Sequence, residues 1–320
     1  MKIIIIFIFI INLIFNQTME VEIYKTQLDS LLNHPQIKTI NRQYTSTLGR
    51  NNDPKLITDI SKYQLFIRKF GWTMLTIPEL GLLIDVLYPK STISHFNVDN
   101  AVAFTIDDGF CGIDNNNGCM VNEVRKLFKS YDAHATFFIT GSHCNNIPLK
   151  DINLLINDGH EIANHNMMDW SYKNYTTDDF EFDLLLTEKI LSYYNQEYSN
   201  WYRAPFGQLS NNMQMIINKH GMKHVLPDVF AHDTFIPDPK WISRYILKRV
   251  QPGSVILIHM PEKGVREWNY EAIKLTLIGL KERNLKVLNL TEMSQIENKK
   301  KPKSIEGLKV ARVHPVRYKR

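Results

Sequence analysis

Cysteine is scarce in this chain. Cys111, Cys119 and Cys144 are the only three among 320 residues, and no C-x-x-C pair occurs, which excludes a zinc–thiolate domain. Glycine (14) and proline (13) are too few for a collagen-like or linker-like chain. Charged residues make up only 22% against 44% apolar ones, so the chain is not intrinsically disordered. A basic body is also missing. Residues 299–320 hold nine Lys/Arg and one acid, Glu306, an excess of eight positive charges in a chain of formal charge +5. The other 298 residues are therefore mildly acidic, at −3. Nucleic-acid binding, which needs a basic face on the fold, is disfavoured. The basic tail reads as a solvated, flexible end, with contact to a polyanion as the alternative.

Long apolar runs are equally rare. The one that stands out follows Lys2, from Ile3 to Phe15, interrupted by Asn12. It has the charged start and apolar stretch of a secretory signal. Thirteen residues fall short of the roughly 20 that span a bilayer. No small-x-small cleavage site follows, so an uncleaved anchor is the alternative, and the only membrane contact expected. Sequons at Asn16, Asn174 and Asn289 are acceptors if the chain enters a glycosylating pathway. In an oxidising compartment, one disulfide among Cys111, Cys119 and Cys144 is expected, leaving one bystander thiol, with the pairing open.

From residue 101 a rhythm sets in. Short β-rich runs (101–106, 135–140, 160–165, 200–205, 223–230, 254–259, 285–290) alternate with segments of helical period near 121–131, 148–157, 178–196, 210–220, 240–250 and 269–283. Such alternation indicates parallel strands joined by helical crossovers, either a (β/α) barrel of fewer than eight units or a doubly wound sheet. Upstream, residues 55–70 have helical spacing. The apolar stretch 71–88, broken by Pro78 and Gly81, is expected to pack on a core, with contact to a membrane surface as the alternative.

The strand ends carry a specific polar set. AVAFTI runs into Asp107 and Asp108, HEIANH ends in His165 with Asp169 four residues on, and Arg203 leads into Phe206 and Gly207. Asp228 lies near the end of the fifth run, His232 and Asp233 follow it, and SVILIH ends in His259. In α/β barrels the strands' carboxyl ends form the active site. Taken singly, each residue has an ordinary structural reading: an Asp pair caps a helix, a strand-end His is a hydrogen-bonded core residue, and an Arg pairs with an acid. Their succession at five strand ends is the functional signal.

These residues resemble the motifs of the polysaccharide deacetylase family of metal-dependent carbohydrate esterases. TIDDG (105–109), GHEIANHNMMD (159–169), RAPFG (203–207) and ILIH (256–259) occur in the family's order, and the resemblance covers about residues 100–296. It implies a distorted (β/α)7 barrel of parallel strands. The expected organisation is a signal segment at 1–18, a mostly helical extension at 19–98, the catalytic domain at 99–297 and the basic tail at 298–320. It also implies one divalent metal ion, zinc first with cobalt or manganese as alternatives, held by Asp108, His165 and Asp169. Asp107 would be the general base, oriented by Arg203, and His259 the general acid. The backbone N–H of Phe206, beside Gly207, would stabilise an oxyanion. Asp233, with Asp228 as a second candidate, would hold His259 or Arg203.

The sequence departs from the pattern where Asp169 replaces a second His, where Met260 replaces the Asp after His259, and in the weak motif at 231–235. The expected activity is removal of acetyl groups from N-acetylglucosamine-containing glycan, such as chitin, by a secreted or cell-surface monomer. A related amide or ester hydrolase and a catalytically inactive glycan-binding barrel are the alternatives.

Overall fold

A computed structural model describes residues 61–300, apart from 77–79, 113–114, 116–117 and 195–198. The signal segment, the Asn16 sequon and the tail beyond residue 300 lie outside the described residues. Among the described residues, no helix is long and apolar enough to cross a membrane.

The predicted alternation is present as strands β1 (Ala101–Gly109), β2 (Thr136–Ile139), β3 (Glu161–Asn164), β4 (Trp201–Tyr202), β5 (Lys223–His224), β6 (Val229–Phe230), β7 (Val255–His259) and β8 (Lys286–Leu288). All pairings are parallel. The sheet order is β5-β4-β3-β2-β1-β7-β6, with β8 joining the lower half of β1. Helices α3 (Val121–Lys129), α4 (Leu149–Asn157), α5 (Thr177–Tyr194), α6 (Asn211–Lys219), α7 (Pro239–Arg249) and α8 (Trp268–Glu282) connect the strands, and α9 (Leu290–Lys300) follows β8. The sheet curls into a distorted (β/α)7 barrel, open between β5 and β6.

The single run 223–230 is two strands on opposite sides of that opening. Val225 N–H still bonds Tyr202 O next to β4, whereas Val229 and Phe230 register with Ile256 and Leu257 of β7. Pro227 lies between them and has no N–H to continue a ladder. Residues upstream of β1 brace the base of the opening: Ile93 bridges Val225, and His95 bridges Ser254.

Strand alternation decides what faces the barrel axis. Both faces of β1 are buried, yet they differ in size. Val102, Phe104 and Ile106 point outward into the main core beneath the helices. Ala101 and Ala103 point inward to a smaller cluster with Phe96, Phe138, Ala163, Trp201 and Val255. With side chains alternating at a period of two, the inward register of β1 continues through Thr105 to Asp107. The same count runs from Ala163 to His165, from Trp201 to Arg203, and from Val255 through Leu257 to His259. Small and apolar groups fill the bottom, so the polar groups collect at the top.

Before the barrel, α1 (Lys62–Leu75) and α2 (Leu80–Leu87) form the described part of the N-terminal extension. Ser61 and Gln64 make a reciprocal capping box at the start of α1. Trp72 and Ile84 pack inward, as expected for this apolar stretch.

Cys111 and Cys119 form a disulfide, and Cys144 is the buried bystander. Burial pushes the Cys144 thiol up to about 12, against a hydrogen bond to Tyr194, so it behaves as a packing group. Of the two sequons within the described residues, Asn174 is exposed. Asn289 is not available: it is 8% exposed, its amide donates to Gly159 O, and its Oδ1 accepts from Glu292 N at the start of α9.

Gly253 turns the chain into β7 with φ +93°, and an added Cβ would stand 2.0 Å from Phe96 O. Gly253→Ala therefore combines left-handed strain with a backbone clash. Urea unfolding should show a loss on the order of 1–3 kcal/mol.

Candidate active site

Asp107 and Asp108 diverge because the backbone changes hand between them. Asp107 keeps the extended register opposite His259, whereas Asp108 has φ +58°, a conformation uncommon outside Gly, Asn and Asp. His143 Nδ1 lies 3.1 Å from Asp108 O and braces that turn.

Arg203 is 1% exposed and spans the barrel. Its Nε donates to Val225 O, and one terminal nitrogen donates both to Thr105 Oγ1 at 2.8 Å and to Asp107 Oδ1 at 2.7 Å. The guanidinium also lies over the Phe138 ring, 4.2 Å from its centroid. Asp107 is thus pinned through one oxygen. Its other oxygen faces His165 Nε2 at 3.9 Å.

His165 Nδ1 lies 2.8 Å from Arg203 O, a backbone carbonyl that can only accept. The proton therefore sits on Nδ1, and the Nε2 lone pair points into the site. There it faces Asp108 Oδ1 at 3.7 Å. One ligand atom each from Asp108, His165 and Asp169 lie within 4.8 Å of one another. The donor set fits a divalent cation: two carboxylates and one imidazole whose tautomer is fixed by a backbone acceptor. Burial, then the neighbouring Asp108 carboxylate, push Asp169 up to about 7. A cation between the two acids would offset both effects.

Across the mouth, His259 Nδ1 meets Asp233 Oδ1 at 3.0 Å, and the His259 backbone N–H donates to Asp233 Oδ2 at 2.8 Å. Asn269 Nδ2 donates to Asp233 Oδ2 and to His259 O, and Trp268 Nε1 donates to Asp233 O. Asp233 is fully buried. Burial alone would lower the His259 pKa, but Asp233 and then Asp108 outweigh it, and the imidazolium persists up to about 9. Because this lies above the unfolded value of about 6.5, the linked stability is full below pH 6.5 and is lost as pH rises through 9. A proton-donating His259 should give kcat/KM an alkaline limb at or below pH 9, since a nearby cation lowers the imidazolium pKa further. Asp233→Asn should move that limb down by about one unit or more in a pH–rate profile.

Asp107, Asp108, His165, Asp169, Arg203, Phe206, Gly207 and His259 all line one cavity of about 810 Å³. Phe206 stands at its rim, 56% exposed, with φ +57°. Asp228 is elsewhere. Its carboxylate bonds the Val255 N–H, Ser254 and His95, at the entry of β7, roughly 13 Å of strand from His259. Only Asp233 of the two candidates reaches the site, and it holds His259 rather than Arg203.

Arg266 is a site residue that sequence reading passed over. It donates to Asp108 Oδ2 at 2.7 Å and lies 3.7 Å from Glu262. Burial raises the Asp108 pKa, but Arg266, followed by His259 and His165, holds the carboxyl well below the usual range. Asn269, His143 and Trp72 were also missed. None belongs to a short motif, and each reaches the site only through the fold.

The polysaccharide deacetylase family model matches residues 97–225. An uncharacterized 30.6 kDa protein of Geobacillus stearothermophilus is 27% identical over 180 residues, 54% of this chain and 64% of that protein. A chitooligosaccharide deacetylase of Azorhizobium caulinodans is 26% identical over 161 residues, 50% of this chain and 73% of that one. Among solved structures, peptidoglycan deacetylase PdaC from Bacillus subtilis superposes with a TM-score of 0.55 at 20% identity, covering 63% of this chain and 93% of that one. A protein from Bacillus anthracis described as a CE4 family pseudoenzyme does so at 0.54 and 22%, covering 62% and 66%. These structural likenesses show the fold.

Proposed function

We propose, on the match of the polysaccharide deacetylase family model to residues 97–225, that this protein is a metal-dependent hydrolase that removes acetyl groups from N-acetylglucosamine units of a polysaccharide, with chitooligosaccharide as its substrate class. One observation carries the reading. Asp107 and His259 sit side by side in register on β1 and β7, each with its own buried partner, beside a set of three ligand atoms. A base, an acid and a cation seat around one cavity are what amide hydrolysis requires.

Asp108, His165 and Asp169 would hold the cation, and zinc, cobalt and manganese all accept these N/O donors. When bound, such an ion polarises the acyl oxygen and acidifies water. Asp107, kept oriented by Arg203, accepts the proton of the attacking water. The Phe206 N–H contributes to holding the oxyanion. His259, with Nδ1 committed to Asp233, presents its Nε2 proton to the departing nitrogen. The acid and base hold opposite charges together because Arg203 faces one and Asp233 the other.

A secretory route through residues 1–16 is part of this reading, with Asn174 as a glycosylation acceptor. The contrary reading, a glycan-binding barrel without catalysis, takes its support from the pseudoenzyme neighbour and from Asp169. Acetate release separates the two. Chitooligosaccharides and peptidoglycan fragments should be assayed side by side with and without a chelator. Chelator-sensitive release from the chitooligosaccharides is expected, release from peptidoglycan fragments alone would replace the substrate class, and no release from either would end the N-acetylglucosamine deacetylase reading.

A further inference from the structure

The family match begins at residue 97, yet α1, which precedes it, reaches the rim of the cavity. Trp72 lines the cavity. Its indole N–H donates to Phe230 O at 3.1 Å. Its ring meets Phe230 and His232 edge-on, with centroids 5.4 and 4.8 Å away, and Phe230 lies 5.8 Å from the His259 ring. One turn earlier, Arg68 grips Phe235 twice. Its guanidinium donates to Phe235 O at 2.9 Å and covers the phenyl ring 3.8 Å from the centroid. Lys69 pairs with Asp238 at 2.5 Å. The loop that carries Asp233 is therefore tied to α1 at three points.

Phe235 is not a core residue. It lines the cavity and is 41% exposed while Arg68 covers one of its faces. A clamp of this kind holds a flat apolar surface rigid toward the cavity, so little ordering entropy remains to be lost on binding. A pyranose ring suits such a surface, with apolar C–H groups on its face and polar hydroxyls around its edge. The volume of about 810 Å³ lies near the upper end for small-molecule sites, which leaves room for more than one sugar ring.

Resting on the deacetylase reading above, we propose that α1 completes a stacking subsite, with Phe235 and Trp72 as its platform and Arg68 as its clamp, for the pyranose ring adjoining the one that is deacetylated. The segment before the family domain thereby sets the preference for chain length. Asp233 holds His259 from this same loop, so the subsite lies on the leaving-group side.

The test compares kcat and KM for acetate release from N-acetylglucosamine, which has no adjoining ring, and from its fully N-acetylated β-1,4-linked pentamer in the full chain, in Phe235→Leu, Phe235→Tyr and Arg68→Gln. The wild type should show a lower KM for the longer substrate. Phe235→Leu keeps apolar bulk but loses the ring, and should raise the KM for the N-acetylated pentamer roughly three- to tenfold with a much smaller change in kcat, while the N-acetylglucosamine KM stays unchanged. Phe235→Tyr should restore the wild-type dependence. Arg68→Gln, at the half-buried contact between α1 and the Phe235 loop, should show part of the loss and reports independently if Phe235→Leu folds poorly. Wild-type length dependence in both Phe235→Leu and Arg68→Gln would overturn the subsite alone. An inactive wild type on both substrates would overturn the deacetylase reading, and the subsite with it.

Discussion

Asp107→Asn is expected to cut acetate release by about 10²- to 10⁴-fold, the usual contribution of a positioned proton acceptor, while leaving metal content unchanged. The substitution keeps the shape of the side chain and its contact with Arg203, whose terminal nitrogen lies 2.7 Å from Asp107 Oδ1. It removes the capacity to take a proton together with the negative charge that pairs with Arg203. The three proposed ligands, Asp108, His165 and Asp169, do not include this residue. Metal analysis of the purified variant alongside the kinetic measurement separates the two roles. Full turnover in Asp107→Asn would remove the general base from the proposal, and loss of the metal would make Asp107 a ligand instead.

The second large effect concerns Asp169. Asp169→Asn should reduce the affinity for a divalent ion by about a hundredfold or more, because a neutral amide oxygen replaces one of two anionic donors. Dialysed wild type should retain about one ion per chain, and the variant almost none. In the wild type, burial and Asp108 place the Asp169 titration at about 7. Ion uptake near neutral pH should therefore release protons, measurable by calorimetry in buffers of different ionisation enthalpy. Retention of the ion by the variant would show that Asp169 is not a ligand.

Much of the site was legible because its groups lie next to one another in sequence. Asp107 and Asp108 are consecutive, and His165 and Asp169 stand four apart. Arg203, Phe206 and Gly207 share a five-residue motif, and His259 closes an apolar strand. The inward register of these residues also follows from a period of two along β1, β3, β4 and β7. Helix limits came within a few residues, since seven segments of apolar period are all helices in the structure, the first described only from residue 61. What could not be read was any pairing that involves a residue outside those motifs. Arg266 meets Asp108 across 158 positions, Arg68 meets Phe235 across 167, and Asn269 meets Asp233 across 36.

The pair Asp228 and Asp233 shows the same boundary within one short run. Both are acids beside a β-rich stretch, and nothing local distinguishes them. The choice came from β6 pairing with β7, which sets Asp228 at the entry of β7 and Asp233 at its exit. The amino-acid order by itself determined the alternation of strands and helices and the inward-facing polar ends, since these depend on spacing along a chain of known geometry, and its ordered motifs carried the resemblance to a family. Only the tertiary structure decided that a second guanidinium, Arg266, faces Asp108, where the barrel stays open and that α1 reaches the cavity, because those contacts depend on how separate segments pack in space.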